Sequence, residues 1–382
     1  MKILLCALEP SADALGAALM KSVRSRRPEA EFIGCGGSLM TAQGLSSLFD
    51  IEPFSVIGPS AALRVLPAAL RAADQLLRAA IEQQPAAAIF IDSWSFSKIA
   101  AKKFRRNAPD VKLFKYAAPQ VWASRPERAR IAAQLFDGVL CLFKFETEMF
   151  EREGARTVFV GHSGLQAARN HRSDTTAFRQ KHGLGDAPLL AVLPGSRLAE
   201  LMRHAKPFGD TARLLAEHIP NLRVVVPAAP STMKKIPALI ADWAGQPIII
   251  DSDERFDAFA AADAALAASG TVVAELAMFN TPMIAAYRID LLTEIWARAV
   301  LTTKRVSLVN IAANREVLPE FLQGDCRPEP MAAALLPLLT GGPERAAQQA
   351  AMPEIVAGWV PSNAPAADIA AKAVLDWIGG GN

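Results

Sequence analysis

Short apolar runs recur along the chain, each followed by a polar loop and then by a helical stretch. They are Lys2 to Ala7, Glu31 to Gly34, Ala87 to Ile91, Lys112 to Tyr116, Gly138 to Leu142 and Thr157 to Val160. Such alternation predicts a parallel sheet covered by helices on both faces. In sheets of this kind ligands bind beyond the carboxyl ends of the strands. The polar clusters fall there: Glu9 to Asp13, Asp92 to Ser97, Pro119 to Arg128, and Gly161-His162.

A second series of the same kind begins with Leu189 to Leu193, then Pro194-Gly195-Ser196-Arg197 and a helix to about Leu215. Strands at Arg223 to Val226 and Pro247 to Ile250 follow, then a helix from Arg255 to Ala262. Neither series carries a G-x-G-x-x-G fingerprint, so two Rossmann-like units in tandem point to a sugar nucleotide rather than a dinucleotide. The polar stretch Arg169 to Ala187 reads as the linker between them, and the Pro/Gly/Ala-rich stretch after Leu339 as a loose connector. Asp368 to Ile378 reads as a short amphipathic helix. The expected division is 1–168, 169–345 and a connector with a returning helix over 346–382.

With 382 residues the chain is long enough for roughly two or three domains. A 51% hydrophobic and 21% charged composition excludes a disordered chain, and a net charge of +3 gives no footing for nucleic-acid binding. The four cysteines, Cys6, Cys35, Cys141 and Cys326, form no C-x-x-C pair and read as free thiols in a reducing cytoplasm. The apolar run after Lys2 stops at Glu9, too short for a signal segment, and no run approaches the roughly 18 residues of a membrane span. The expectation is a protein that is soluble or rests on a membrane surface.

One stretch offers an anion seat. Ser269-Gly270-Thr271 follows a strand and opens a helix, whose first N–H groups lack intrahelical partners and whose dipole end is positive. Gly270 lets an anion approach the backbone, Ser269 and Thr271 add hydroxyl donors, and a diphosphate fits. Glu275, one turn on, can accept hydrogen bonds from ribose hydroxyls. Arg197, after the turn holding Ser196, can reach a phosphate or instead pair with Glu200. For a general base the candidates are Asp92 at a strand end, Glu9 and Asp13; the last two can instead cap a helix starting near Ala14. His162 sits either at the cleft or in a structural role, whereas His171, His182, His204 and His218 read as surface residues. No His/Asp/Glu cluster has metal-ligand spacing, so no metal and no cofactor is expected. Ser60 to Ile81 carries Arg64, Arg71 and Arg78 at spacings of seven among Ala and Leu. It reads as a surface helix for anionic lipid or as a helix packed on the sheet with a solvated edge. Leu291 to Arg305 is a second candidate of that kind.

From Leu8 to about Gln323 the chain resembles the lipid-A-disaccharide synthase family. The resemblance rests on Gly36-Gly37 through Phe49, Ala118-Pro119-Gln120-Val121-Trp122-Ala123-Ser124-Arg125-Pro126, Leu140 to Glu146, and Phe159-Val160-Gly161-His162. Further along it rests on Leu193 to Arg197, Ala268 to Thr271, Thr281-Pro282-Met283 to Tyr287-Arg288, and Asn310-Ile311 to Glu320. It implies a GT-B fold: two Rossmann-like domains facing a central cleft, with a C-terminal helix crossing back to the N-terminal domain. It implies inverting transfer of 2,3-diacylglucosamine from its UDP derivative to 2,3-diacylglucosamine 1-phosphate, giving a β-1,6 disaccharide and UDP. The implied setting is cytoplasmic, peripheral on the anionic inner face of a Gram-negative inner membrane; a homodimer is a further partner to consider. On the donor side it adds Arg288 and Asn310, and on the acceptor side Ser11, Ser95, Trp122 and His162.

The departures fall mainly in the first domain. The family's Gly-Glu-(Ala or Pro)-Ser-Gly-Asp is Leu8-Glu9-Pro10-Ser11-Ala12-Asp13 here, and either Cβ can crowd a ligand. Its Ile-Asp-Ala-Pro-Asp-Phe is Ile91-Asp92-Ser93-Trp94-Ser95-Phe96, so Ser95 replaces a proposed catalytic base. Ser163 replaces a Pro and Asn314 a Gly. These keep two alternatives open: a paralogue with a different acceptor, and a catalytically silent UDP-sugar or lipid binder.

Overall fold

The computed structural model describes residues 1–54, 59–229, 232–268, 270–289, 303 and 305–380, with backbone only for 59–64. The chain divides into two compact units, Met1–Gln166 with Gly358–Asn382, and Ala167–Ala357.

The first unit holds β1 (Lys2–Ala7), β2 (Glu31–Cys35), β3 (Ala87–Ile91), β4 (Lys112–Tyr116), β5 (Gly138–Cys141) and β6 (Thr157–Phe159). They form one parallel sheet of order β2-β1-β3-β4-β5-β6. Strand order therefore reverses between β1 and β3. Alternate side chains feed two cores, as the pleat requires. Leu4 and Cys6 join the helices Pro59–Gln83, Trp94–Asn107 and Arg128–Leu135 on one face. Ile3, Leu5 and Ala7 meet the helices Pro10–Arg26 and Ala366–Ile378 on the other. The last helix thus returns to the first unit, as the family resemblance implies. Trp377 packs on Phe114 at a ring distance of 5.2 Å and fills the space beside Gly138, where a Cβ would lie 2.3 Å from its ring.

The second unit holds β7 (Leu189–Leu193), β8 (Arg223–Ala228), β9 (Ile248–Asp251), β10 (Ala264–Ala268), β11 (Met283–Tyr287) and β12 (Glu320–Leu322). Its sheet, of order β12-β11-β10-β7-β8-β9, is again parallel and reverses between β10 and β7.

Two expectations need correction. The presumed linker contains a helix, Thr175–Lys181, whose N-cap Asp174 accepts the Ala177 N–H at 2.8 Å. The presumed loose connector after Leu339 is the helix Pro343–Ala357, part of the second unit. Proline suits a first helical turn, because its missing N–H has no partner there in any case. From this helix the buried Gln348 accepts from Met283 N at 2.8 Å and donates to Met283 O at 3.0 Å, tying it to the start of β11.

Candidate functional site

Each unit carries a cavity where its strand order reverses. In the first unit the loops after β1 and β3 meet in a cavity of about 530 Å³ lined by Glu9, Asp92, Ser95 and Arg128, with an apolar wall that includes Leu66 and Phe96. Asp92 and Ser93 both adopt left-handed backbone, φ +51° and +40°. For residues with a Cβ this is strained, and it persists only when surroundings hold it. Lys115 does so from below. It is fully buried, and its Nζ donates to Asp92 O at 2.6 Å, Tyr116 O at 3.0 Å and Phe90 O at 3.2 Å. Ser97 Oγ also donates to Asp92 O, at 2.9 Å, and Asp92 N donates to Tyr116 O at 2.9 Å. Burial lowers the Lys115 ammonium to about 8, against the opposing pull of Asp92, Cys6 and Glu9. Glu9 is half-buried, and its carboxyl is raised, first by burial and then by Asp92 beside it. Ser95 is exposed in the first turn of the helix Trp94–Asn107 and faces the same cavity.

The remaining residues proposed for this unit lie elsewhere. Asp13 is buried inside the helix Pro10–Arg26. Its oxygens accept from Gly37 N, Leu39 N and Met40 N at 2.8, 2.9 and 3.0 Å. It therefore anchors the start of the helix Ser38–Ala42. Ser11 is exposed and absent from the cavity lining. Trp122 Nε1 donates to Glu146 Oε1 at 2.9 Å, and burial pushes the Glu146 carboxyl up to about 7. His162 stacks on Phe143 at 5.7 Å, and burial lowers its imidazole. Of the two residues replacing family glycines, Ala12 packs in the core, whereas Leu8 is buried yet forms part of the cavity wall.

In the second unit the loops after β7 and β10 meet in a cavity of about 410 Å³ lined by Ser196, Arg197, Gly270, Thr271, Arg255 and Glu275. Gly270 is the N-cap of the helix Thr271–Met278 at φ +145°, and among the described residues, its chain neighbours apart, no atom lies within 4 Å of where its Cβ would stand. The first N–H groups of this helix are thus open to an approaching anion. Gly195, at φ +119°, turns tightly over Glu200, whose Cβ would lie 2.6 Å from an added Cβ. Glu200 braces that turn, accepting from Ser196 N at 3.2 Å, Arg197 N at 3.3 Å and Tyr287 Oη at 3.2 Å. Arg197 Nη1 pairs with Glu200 Oε1 at 3.0 Å, on a side chain 65% exposed. Glu275 pairs with Arg255 at 3.3 Å, whose guanidinium also lies 4.1 Å from the Phe256 ring centre. Ser269 lies outside the described residues.

Arg288 and Asn310 do not line this cavity; both hold the chain around it. Arg288 donates to Gln323 O at 3.3 Å and to Cys326 O. Asn310 is buried with both amide atoms satisfied, donating to Leu318 O and Glu320 Oε1 at 2.8 Å and accepting from Val317 N at 2.7 Å. His204, expected at the surface, is fully buried and is a further correction. Its Nδ1–H donates to Pro194 O at 2.8 Å and its Nε2 accepts from Arg288 N at 2.9 Å, which fixes the neutral tautomer and joins the loops after β7 and β11. His171 and His182 are likewise engaged, with Asp257 at 2.9 Å and Glu254 at 3.1 Å.

Two parallel-sheet units in tandem, each with a cavity at its reversal point, and a final helix returned to the first unit define a GT-B protein. Solved structures share that fold at low sequence identity. S. aureus MnaA determined with UDP has a TM-score of 0.62 at 15% identity, covering 99% of this chain and 95% of that one. A UDP-GlcNAc 2-epimerase from Neisseria meningitidis bound to UDP-GlcNAc has a TM-score of 0.59 at 12% identity, covering 98% and 100%. The family comes from sequence: the lipid-A-disaccharide synthetase model matches residues 3–374, and the chain belongs to that family. The lipid-A-disaccharide synthase of Paramagnetospirillum magneticum is 42% identical over 92% of this chain and 90% of its own. That of Rhodospirillum centenum is 38% identical over 98% and 94%.

Proposed function

We infer that the protein is an inverting hexosyltransferase that makes the lipid A disaccharide, moving 2,3-diacylglucosamine from its UDP derivative to 2,3-diacylglucosamine 1-phosphate. The observation that carries this reading is the match to lipid-A-disaccharide synthases along nearly the whole chain, through both cavities. In the first unit Asp92 takes the proton from the acceptor hydroxyl as that oxygen attacks the sugar C1. The bond from C1 to the diphosphate breaks, and UDP leaves with the bonding pair. Ser95 stands where the family has an Asp, and a hydroxyl is far too weakly basic to replace it. The role therefore falls to Asp92, held in place by Lys115, with Glu9 beside it.

In the second unit the diphosphate sits on the N-terminus of the helix Thr271–Met278, over Gly270 and with the hydroxyls of Ser269 and Thr271. Ser196 and Arg197 close on it from the loop after β7, and Arg197 exchanges Glu200 for phosphate. Glu275, oriented by Arg255, receives the ribose hydroxyls. Arg288 and Asn310 act through the loops they hold. The test is disaccharide formation from the two acylated substrates, with UDP binding followed on the same sample. Turnover at an ordinary enzymatic rate is expected; UDP binding without disaccharide would overturn the reading of the acceptor.

Acylated substrates also support contact with the anionic inner face of the inner membrane. Among the described residues no helix is long and apolar enough to cross a membrane. The helix Pro59–Gln83 buries Ala72, Ala73, Leu76 and Ala80 and exposes Leu66, Leu70 and Ile81 with Arg71 and Arg78. That surface suits an interfacial helix. Most of Leu291 to Arg305 lies outside the described residues. Alanine at both Arg71 and Arg78 is expected to weaken binding to phosphatidylglycerol vesicles about thirty-fold, at roughly 1 kcal/mol per basic residue; unchanged binding would rule this helix out as the membrane contact.

A further inference from the structure

The cavity of the first unit has a cation that the reaction as described does not use. Arg128 opens the helix Arg128–Leu135 and lines the cavity. Its side chain makes no hydrogen bond or ion pair with the described residues, although it is half-buried. Burial and the neighbouring Arg125 both lower its guanidinium, opposed only by Glu127. An unpaired, partly desolvated cation beside a second cation is unfavourable unless an anion arrives.

The same lining carries the carboxyls of Glu9 and Asp92 and the apolar side chains of Phe54, Val65, Leu66, Ala69, Phe96 and Ile99. A ligand that satisfies all three features has a hydroxyl for the carboxylates, an anion for the guanidinium and hydrocarbon for the apolar side chains. A hexosamine 1-phosphate with acyl chains has all three: a free hydroxyl at C6, a phosphate at C1 and hydrocarbon chains.

We propose that Arg128 is the phosphate-recognition residue of the acceptor site, the group that selects a phosphorylated over a dephosphorylated acylated glucosamine. This rests on the acceptor reading given above and sharpens it. A guanidinium meets a phosphate with two parallel hydrogen bonds, so lysine replaces it only in part.

The test measures binding of 2,3-diacylglucosamine 1-phosphate and of its dephosphorylated form to the full chain in neutral detergent micelles, for the wild type, Arg128→Lys and Arg128→Gln. The wild type is expected to prefer the phosphorylated ligand by about ten- to hundred-fold, the range of a charge-assisted hydrogen-bonded pair. Arg128→Lys should keep part of that preference and Arg128→Gln lose it, with UDP affinity unchanged in both. A preference that survives in Arg128→Gln, or none in the wild type, overturns the proposal. Vesicles of phosphatidylglycerol form a second arm. If Arg128→Gln lowers vesicle binding and leaves the ligand preference intact, the guanidinium serves a lipid headgroup and the proposal fails. Binding preference without turnover would count against the reaction while leaving this assignment standing, so the two fail separately.

Discussion

The loops after β3 and β10 sit at equivalent places in their sheets and are built in opposite ways. After β10, Gly270 takes φ +145° and leaves open space where a side chain would project. After β3, Asp92 and Ser93 take left-handed backbone with their side chains present, and a buried lysine binds the carbonyl that the turn exposes. Glycine clears the backbone so that an anion can touch it; the braced turn presents a side chain at a set position. Under the proposed division of the reaction the difference follows from the task, since a leaving diphosphate needs N–H donors and an attacking hydroxyl needs a carboxylate. It also suits a first unit that lacks the family's glycines at Leu8 and Ala12.

If that division holds, Asp92→Asn removes the base and leaves the donor seat whole. Turnover should fall by about 10²- to 10⁴-fold, measured as kcat with saturating substrates. A loss under tenfold would move the base to another group, with Glu9 next in line. Gly270→Ala attacks the other loop. A Cβ at this φ costs on the order of 1–3 kcal/mol and intrudes where the diphosphate approaches, so UDP affinity should drop about ten- to hundred-fold. Affinity for the acceptor should stay as it is; a matching loss there would erase the contrast between the loops.

The smallest effect is expected at the brace. Lys115→Met should lower kcat about tenfold as the Asp92 turn relaxes, because small misplacements of a reacting group are costly. Its signature is a change in pH dependence. The folded ammonium titrates near 8, below its usual 10.5. Between those values the folded chain holds fewer protons than the unfolded one, so stability rises with pH across the window and is lost again as pH falls through 8. Denaturant unfolding from pH 7.5 to 10.5 should show that rise, of order 1–3 kcal/mol, in the wild type and not in the variant. Parallel curves would mean that Lys115 carries no buried charge.

The parallel strands and the polar loops at their ends were legible in the sequence, because buried parallel strands are continuous apolar runs and their carboxyl ends are marked by polar residues; the order of the strands was not. Ser196, Arg197, Gly270, Thr271 and Glu275 are brought to one cavity, and Glu9, Asp92 and Ser95 to another. Lys115 was missed because K-L-F-K-Y reads as an ordinary strand; only its place in the sheet interior makes a lysine there unusual. His204 could have been found, since Leu201, His204, Ala205 and Phe208 keep helical spacing and all are buried. Arg255 carries no signal in one dimension, and Arg128 only its place at the end of the polar cluster Pro119 to Arg128: each opens a helix, as many solvated arginines do, and only the tertiary structure brings them to cavities. The helix Pro343–Ala357 was hidden by its prolines and by Gly341 and Gly342 before it.

If the two cavities divide the reaction between them, calorimetric titration of UDP should find wild-type affinity in the Asp92→Asn chain and a loss of about ten- to hundred-fold in the Gly270→Ala chain. Equal weakening in both, or weakening in Asp92→Asn alone, would show that UDP does not bind in the second cavity independently of the first.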